Sequence, residues 1–112
     1  MSLASQHCQP CRGDASPVSD TATYLAELPD WSLVEVDGVD HLVRSYAFQS
    51  YADGLAFSQR VGNLADREDH HPTLVIEWRK VTLHWWTHAI QGLHHNDFVM
   101  AAKSDALYQP FA

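Results

Sequence analysis

The sequence has little positive charge and no long apolar run. It contains 7 Lys and Arg side chains against 14 Asp and Glu, so the formal net charge is −7. Nucleic acids and anionic membrane surfaces attract basic side chains, and this charge balance argues against both as partners. No apolar run reaches the roughly 18 residues that a membrane-spanning helix requires. We therefore expect neither a nucleic-acid-binding protein nor a membrane protein.

Cysteine is also scarce. Cys8 and Cys11 form a CxxC motif near the N-terminus, which could be a metal knuckle with His7 and Asp14 or a redox pair. A structural zinc site needs four good ligands, and a redox CxxC belongs at a strand-to-helix junction. Because the surrounding residues show no periodicity, we favour a flexible N-terminal arm over residues 1–17 with two free thiols. The first residues lack the features of a signal peptide, which indicates a cytoplasmic protein.

Residues 18–112 have the length of one small domain, and 46% of the whole sequence is apolar. Asp37-Gly38 is a strong signal for a two-residue hairpin. The apolar pattern predicts, in chain order, a helix over 19–28, strands over 31–36 and 39–47, a helix over 50–67, strands over 73–78 and 81–87 and a helix over 95–108. We expect an α+β fold in which three helices pack on one face of a four-stranded antiparallel sheet.

Histidine is concentrated in one region. Residues 66–97 hold six of the eight histidines and three of the four tryptophans. A hairpin over residues 73–87 would bring His70, His71 and His88 together at its open end. Imidazoles titrate near neutral pH, so such a group could both supply and remove protons. Two alternatives stay open: a surface loop pair with an unrelated strand-end histidine, or a zinc site, although the HxH and HxxxH spacings typical of ligation are missing.

A long composite pattern runs through the same region, and it consists of Asp66, His70-His71-Pro72, Trp78, His88 and Asp97. It resembles the signature of the pterin-4a-carbinolamine dehydratase family, and the flanks from Trp31 to about Tyr108 agree. The resemblance implies the same sheet-and-helix fold. It also implies a dehydratase (a hydro-lyase) that eliminates water from 4a-hydroxytetrahydropterin to give quinonoid dihydropterin. Neither a metal nor another cofactor is implied, because water leaves by proton transfer alone.

The resemblance also indicates which residues act. It implies that His70, His71 and His88 transfer protons, without dividing acid from base among them. Asp66 would support His70 by fixing its tautomer, although the family often has glutamate at this position. Asp97, in the first turn of the last helix, would complement the helix dipole, and this could be its whole role.

The implied substrate site is wider than the three histidines. Its predicted members are Trp31, Asp69, His70, His71, Trp86, Thr87 and His88. Trp31 would stack on the flat pterin ring, and Trp86 and Thr87 would line the pocket. The remaining histidines of the region, His84, His94 and His95, match no catalytic position and are expected at the surface, with only weak capping of the last helix by His94.

The expected partners follow from the same resemblance. They are a pterin as the small-molecule substrate and a functional link to an aromatic amino-acid hydroxylase, whose by-product the substrate would be. A homodimer or homotetramer is expected because the sheet has edge strands that can pair with another subunit. Two alternatives remain: a non-enzymatic dimerisation module for a protein partner such as a transcription factor, and a fold relative that serves another pterin pathway.

Overall fold

The computed structural model describes residues 2–10 and 16–112. Its helices and strands follow the order α1 (Thr21–Leu25), β1 (Ser32–Val36), β2 (Val39–Ala47), α2 (Tyr51–Glu68), β3 (Thr73–Glu77), β4 (Lys80–Trp85) and α3 (His95–Tyr108). Short 3-10 turns lie at Leu3–Ser5, His88–Ile90 and Gln109–Phe111. The strands form one antiparallel sheet in the order β1-β2-β4-β3, which confirms the predicted α+β fold.

The core lies between the helices and one face of the sheet. Side chains alternate along a strand, so β4 buries every second residue against the helices and turns the others to the opposite face. The fully buried large side chains of this core include Leu42, Tyr46, Phe57, Val61, Val81, Leu83, Trp85 and Phe98. Burial of one such side chain contributes about 1.5–3 kcal/mol. This layer fixes α2 and α3 over the sheet and thereby the positions of the residues at their ends.

The first helix is shorter than the sequence predicted. It spans Thr21–Leu25 rather than 19–28, and its N-cap is Asp20. Asp20 accepts hydrogen bonds from the backbone N–H and the hydroxyl of Thr23, at 3.4 and 2.8 Å. A carboxylate at the N-cap satisfies free N–H groups and complements the helix dipole, which explains the later start.

Both hairpins form, with a shift in the second. Asp37 and Gly38 have φ values of 51° and 80°, as the predicted two-residue turn requires. The second turn carries Arg79 at φ 62°, and β4 starts at Lys80 and ends at Trp85 instead of running over 81–87. Beyond Trp85, Thr87 pairs with Gly92 in an isolated bridge. The chain therefore leaves the sheet just before the residues expected to carry the chemistry.

The described part of the N-terminal arm, residues 2–10, is packed against the domain. Leu3 is 5% exposed and belongs to the core. This packing differs from the flexible arm expected from the sequence. It depends on one apolar side chain and several single hydrogen bonds, and these leave no periodic pattern from which it could be predicted. Cys11 and Asp14, the other members of the considered metal knuckle, lie outside the described residues. Within 2–10 and 16–112, no helix has the length and apolar character needed to cross a membrane.

Candidate active site

The site forms where α2 ends and β4 leaves the sheet. Asp69 caps α2 with φ 51°, in the left-handed region, and the N–H of His70 still reaches Ala65 O at 3.1 Å. Pro72 then favours extended backbone at His71, as its position in the sequence predicted. A cleft of about 450 Å³ lies here, lined by residues 8–10, 68–71 and 86–89 and by Asn96. His70, His71 and His88 all line it, so the three predicted histidines share one cleft.

His70 is fixed by a buried carboxylate. Its Nε2 lies 2.6 Å from Oδ1 of Asp97, whose side chain is completely buried, while the His70 ring itself is 11% exposed. A carboxylate only accepts hydrogen bonds, so Nε2 carries the hydrogen and donates it. In the neutral ring, Nδ1 is then the remaining acceptor. The ring also stacks on Trp85 with an interplanar angle of 11°. Tautomer and orientation of His70 are therefore both set.

Asp97 is held from its other side as well. Its Oδ2 accepts hydrogen bonds from the Thr87 hydroxyl at 2.8 Å and from the His94 N–H at 2.9 Å. His94 in turn accepts from the Asn96 N–H through Nδ1, at 3.0 Å, and completes a capping box at the start of α3. A ring nitrogen thus takes the place of a hydroxyl at this cap, and the weakness of the cap stays a prediction. Asp97 also does more than complement the helix dipole.

The predicted partnership of Asp66 with His70 is wrong. Asp66 lies near His71, at 3.5 Å from Nε2, and the two side chains are 88% and 58% exposed. Asp66 lies on the last turn of α2, while the sharp left-handed turn at Asp69 directs His70 to the other side, toward Asp97. The support that the sequence analysis assigned to Asp66 is therefore supplied by Asp97.

Trp86 links the cleft to a histidine pair on the open face of the sheet. Its ring lies 4.3 Å from that of His88 and stacks on His41 at 4.0 Å with an interplanar angle of 5°. His41 is 6% exposed, and its Nδ1 lies 2.9 Å from Nδ1 of His84. Burial lowers the pKa of His41, and the neighbouring His84 and His88 lower it further. His84 is thus part of a packed cluster rather than a free surface residue.

The other two histidines expected at the surface also have structural contacts. Burial lowers the pKa of His94, in keeping with its role as a hydrogen-bond acceptor at the cap. His95 lies between the Tyr24 hydroxyl, 2.7 Å from Nδ1, and Oε1 of Gln6, 2.6 Å from Nε2. His84, His94 and His95 are therefore all half-buried.

Trp31 is a core residue and is not among the described residues that line the cleft. It is 5% exposed, its indole N–H donates to both carboxylate oxygens of Asp105 at 3.1 Å, and its ring packs edge-on against Tyr46. Asp105 also accepts from Tyr46 and Arg44. The prediction that Trp31 stacks on a ligand in this cleft is therefore corrected. The predicted members Asp69, Trp86 and Thr87 do line it.

Several lining residues were not anticipated from the sequence. They are Cys8, Gln9, Pro10, Glu68, Ala89 and Asn96. The first three come from the N-terminal arm, which shows no motif or periodicity. Among the described residues, no three His, Cys, Asp or Glu side chains are arranged to hold a metal ion.

Comparison with known proteins identifies the class to which this fold and site belong. Residues 16–107 match the family model described as pterin 4 alpha carbinolamine dehydratase. The match spans most of the chain and contains every histidine that lines the cleft. The chain belongs to the pterin-4-alpha-carbinolamine dehydratase family.

Individual relatives agree along nearly the whole length. Proteins from Saccharophagus degradans and Syntrophotalea carbinolica are 49% and 46% identical over 109 residues, which is 96% of this chain and 96% and 97% of theirs. Both carry the provisional name pterin-4-alpha-carbinolamine dehydratase. A crystal structure from Brucella melitensis, titled transcriptional coactivator/pterin dehydratase, superposes with a TM-score of 0.73 at 26% identity, covering 82% of this chain and 98% of that one.

Proposed function

We propose that this protein is a 4a-hydroxytetrahydropterin dehydratase that forms quinonoid dihydropterin. The observation that carries the proposal is the set of three histidines in one cleft, one of them fixed by a buried carboxylate. Family membership and the names of the relatives support the substrate class. The cleft volume of about 450 Å³ lies within the usual range for small-molecule sites.

The reaction needs two proton transfers and no change of redox state. The substrate is a carbinolamine, in which one ring carbon carries a hydroxyl and is bonded to a ring N–H. Water leaves when a proton reaches the hydroxyl oxygen, the C–O bond breaks and the nitrogen loses its proton as the C=N bond forms. General acid–base catalysis of this kind typically contributes about 10²–10⁴-fold.

The site offers groups suited to both transfers. With Nε2–H of His70 donated to Asp97, the neutral His70 ring has a free acceptor at Nδ1. His71 and His88 are exposed in the same cleft and have rings that can exchange protons with solvent between turnovers. We assign proton transfer to the three rings together, without dividing acid from base among them, because all three line the same cleft.

We further propose that no metal takes part, since neither transfer requires one, and that the substrate comes from an aromatic amino-acid hydroxylase. Dialysis against a chelator should leave the dehydration rate unchanged. Loss of activity that zinc restores would contradict this part of the proposal.

A homodimer or homotetramer is the assembly we propose, because β1 and β3 form the two edges of the sheet and an edge strand can pair with a second copy. Light scattering at micromolar concentration should give a mass of two or four chains. A mass of one chain throughout would exclude both assemblies.

The central test is a dehydration assay on freshly generated 4a-hydroxytetrahydropterin. His70→Ala, His71→Ala and His88→Ala should each lower the rate by about ten- to a thousandfold, corresponding to about 1.4–4 kcal/mol of barrier. The losses should not add in combined variants, because groups that act as a unit fail together. A wild-type rate equal to the spontaneous one would reject the proposal, and full activity in all three variants would reject the assignment of these residues.

A further inference from the structure

The N-terminal arm, residues 2–10, is held at the cleft by two side chains that themselves line it. The first is Glu68, the last residue of α2. Its Oε1 accepts the Cys8 N–H at 2.8 Å, and its Oε2 lies 2.9 Å from Nδ1 of His7. The hydrogen bond from the Cys8 backbone, followed by that from His7, lowers the pKa of Glu68, so the carboxylate is charged at neutral pH. This contact places the arm beside the end of α2.

The second anchor is Asn96, which is 1% exposed in the first turn of α3. Its Oδ1 accepts the Gln9 N–H at 2.9 Å, and its Nδ2 donates to Gln9 O at 2.6 Å. One amide side chain thus pairs with both backbone groups of one residue, as a neighbouring strand would. A buried amide without such partners is unfavourable, so the surroundings of Asn96 favour a docked arm.

Three further contacts fix the outer part of the arm. Leu3 is buried in the core, Lys103 donates to Ala4 O at 2.9 Å, and Gln6 bonds to His95. These anchors lie outside the cleft lining. They hold residues 3–6 against the core and α3, whereas Cys8, Gln9 and Pro10 face the cleft and are held separately by Glu68 and Asn96.

We propose that the N-terminal arm is a wall of the pterin site and determines substrate affinity, with Asn96 as its positioning residue. The inference rests on the proposed function and adds a binding element to it. Cys8, Gln9 and Pro10 line the same cleft as His70 and His88, so a ligand that reaches the histidines also contacts the arm.

The arm acts in binding rather than in proton transfer. Among the described arm residues 2–10, the one titratable side chain in the lining is Cys8, and burial, reinforced by the charge of Glu68, raises its pKa to about 12. The thiol therefore stays protonated at neutral pH and is a poor nucleophile. Removal of the wall should consequently raise KM and leave kcat nearly unchanged.

The test compares two substitutions that disrupt the contact between Asn96 and the Gln9 backbone from opposite sides. Asn96→Ala removes the amide from the domain, and Gln9→Pro removes the donating N–H from the arm. Lys103→Met is the matched control, because it loses an arm contact outside the cleft. All variants are made in a full-length Cys11→Ser background, so that alkylation by iodoacetamide reports Cys8 alone.

Asn96→Ala and Gln9→Pro should each raise KM about tenfold, with kcat within about twofold of the parent, as expected for one or two lost hydrogen bonds. Cys8 should be alkylated about tenfold faster, because release from the cleft restores an ordinary thiol. The double variant should resemble either single one, since both break the same contact. In the parent, saturating 7,8-dihydropterin should slow Cys8 alkylation, and Lys103→Met should keep the parent KM.

The possible outcomes distinguish failure of the arm proposal from failure of the proposed function. Faster Cys8 alkylation with an unchanged KM in Gln9→Pro would overturn the proposal. A raised KM in Asn96→Ala but not in Gln9→Pro would also overturn it, because Asn96 would then contact the substrate directly. Gln9→Pro carries the test if Asn96→Ala fails to fold. If the parent does not accelerate dehydration, the proposed function fails. Protection of Cys8 by 7,8-dihydropterin would then still support the wall, and lack of protection would overturn it.

Discussion

His70 and His71 are neighbours in the sequence but have very different surroundings. His70 is 11% exposed and bonded at 2.6 Å to a carboxylate with no exposed surface. His71 is 58% exposed and lies 3.5 Å from a carboxylate that is 88% exposed. Successive side chains of an extended segment point to opposite sides, so one ring enters the protein and the other stays in the cleft mouth. A single dipeptide therefore supplies one fixed and one adaptable imidazole.

This difference suggests that the two rings contribute differently to catalysis. A fixed ring has one tautomer and one orientation, which preorganises its free nitrogen for a proton transfer. An exposed ring exchanges protons with water and adjusts to the substrate. The hydrogen bonds of Asp97 hold the fixed ring, while the weak contact of Asp66 leaves the other ring free. Substitutions at these carboxylates should therefore have very unequal effects.

The largest effect is expected for Asp97→Asn. The amide keeps the shape but has only one acceptor oxygen for the three donors, which are His70, Thr87 and the His94 N–H. The dehydration rate should fall by about ten- to a thousandfold, close to the loss expected for His70→Ala, because His70 loses its set tautomer. The free energy of unfolding should fall by about 2–4 kcal/mol. Steady-state kinetics and urea denaturation would measure the two losses, and a rate within twofold of wild type would show that the fixed ring is dispensable.

Thr87→Val should have a smaller effect through the same carboxylate. Valine has nearly the same shape as threonine but removes the hydroxyl that donates to Asp97 at 2.8 Å. We expect a loss of about 1–2 kcal/mol in unfolding free energy and a rate lowered by about five- to tenfold. Thr82→Val is the matched control, since its hydroxyl pairs with Ser45 on the open face, away from the cleft. Equal losses in both variants would contradict a specific role of Thr87.

Local sequence signals predicted the scaffold of this site but not its contacts. The Asp37-Gly38 turn, the long apolar stripe of α2 and the proline after His71 act over a few residues and are readable directly. The choice between Asp66 and Asp97 as the partner of His70 depends on the packing of α3 against α2. His70 and Asp97 are 27 positions apart in the sequence, and no local pattern predicts the hydrogen bond between them.

The arm and the histidine cluster were missed for related reasons. The docking of the arm depends on Asn96 and Glu68, single side chains distant in sequence from residues 8–10. His41 lies on a strand whose alternation predicts its face. Its stacking on Trp86 also requires the register of β2 with β4, which the sequence alone did not supply.

The cluster predicts a pH dependence of stability. Burial lowers the pKa of His41 from 6.5, and it lowers those of His84 and His94 as well. As pH falls below about 6.5, the unfolded chain binds these protons before the folded one does. The free energy of unfolding is therefore highest above this range and falls on acidification toward the lowered pKa values.

Urea denaturation at a series of pH values should show this decrease between about pH 7 and pH 5, with a slope of at most about 1.4 kcal/mol per pH unit for each proton. His41→Phe keeps an aromatic ring on Trp86 and removes one of the titrating groups, so the slope should become shallower. An identical slope in this variant would exclude His41 as a source of the pH dependence.

The smallest effect is expected for Asp66→Asn, the counterpart of Asp97→Asn beside the exposed histidine. Ion pairs between exposed groups contribute about 0–1 kcal/mol, and a negative charge on the last turn of a helix is slightly unfavourable. The substitution should change the unfolding free energy by less than about 0.5 kcal/mol and the dehydration rate by less than about twofold. Parallel kinetics of the two aspartate variants would test this directly. A tenfold loss of rate in Asp66→Asn would mean that Asp66 holds His71 during turnover, and the two histidines would then be supported alike.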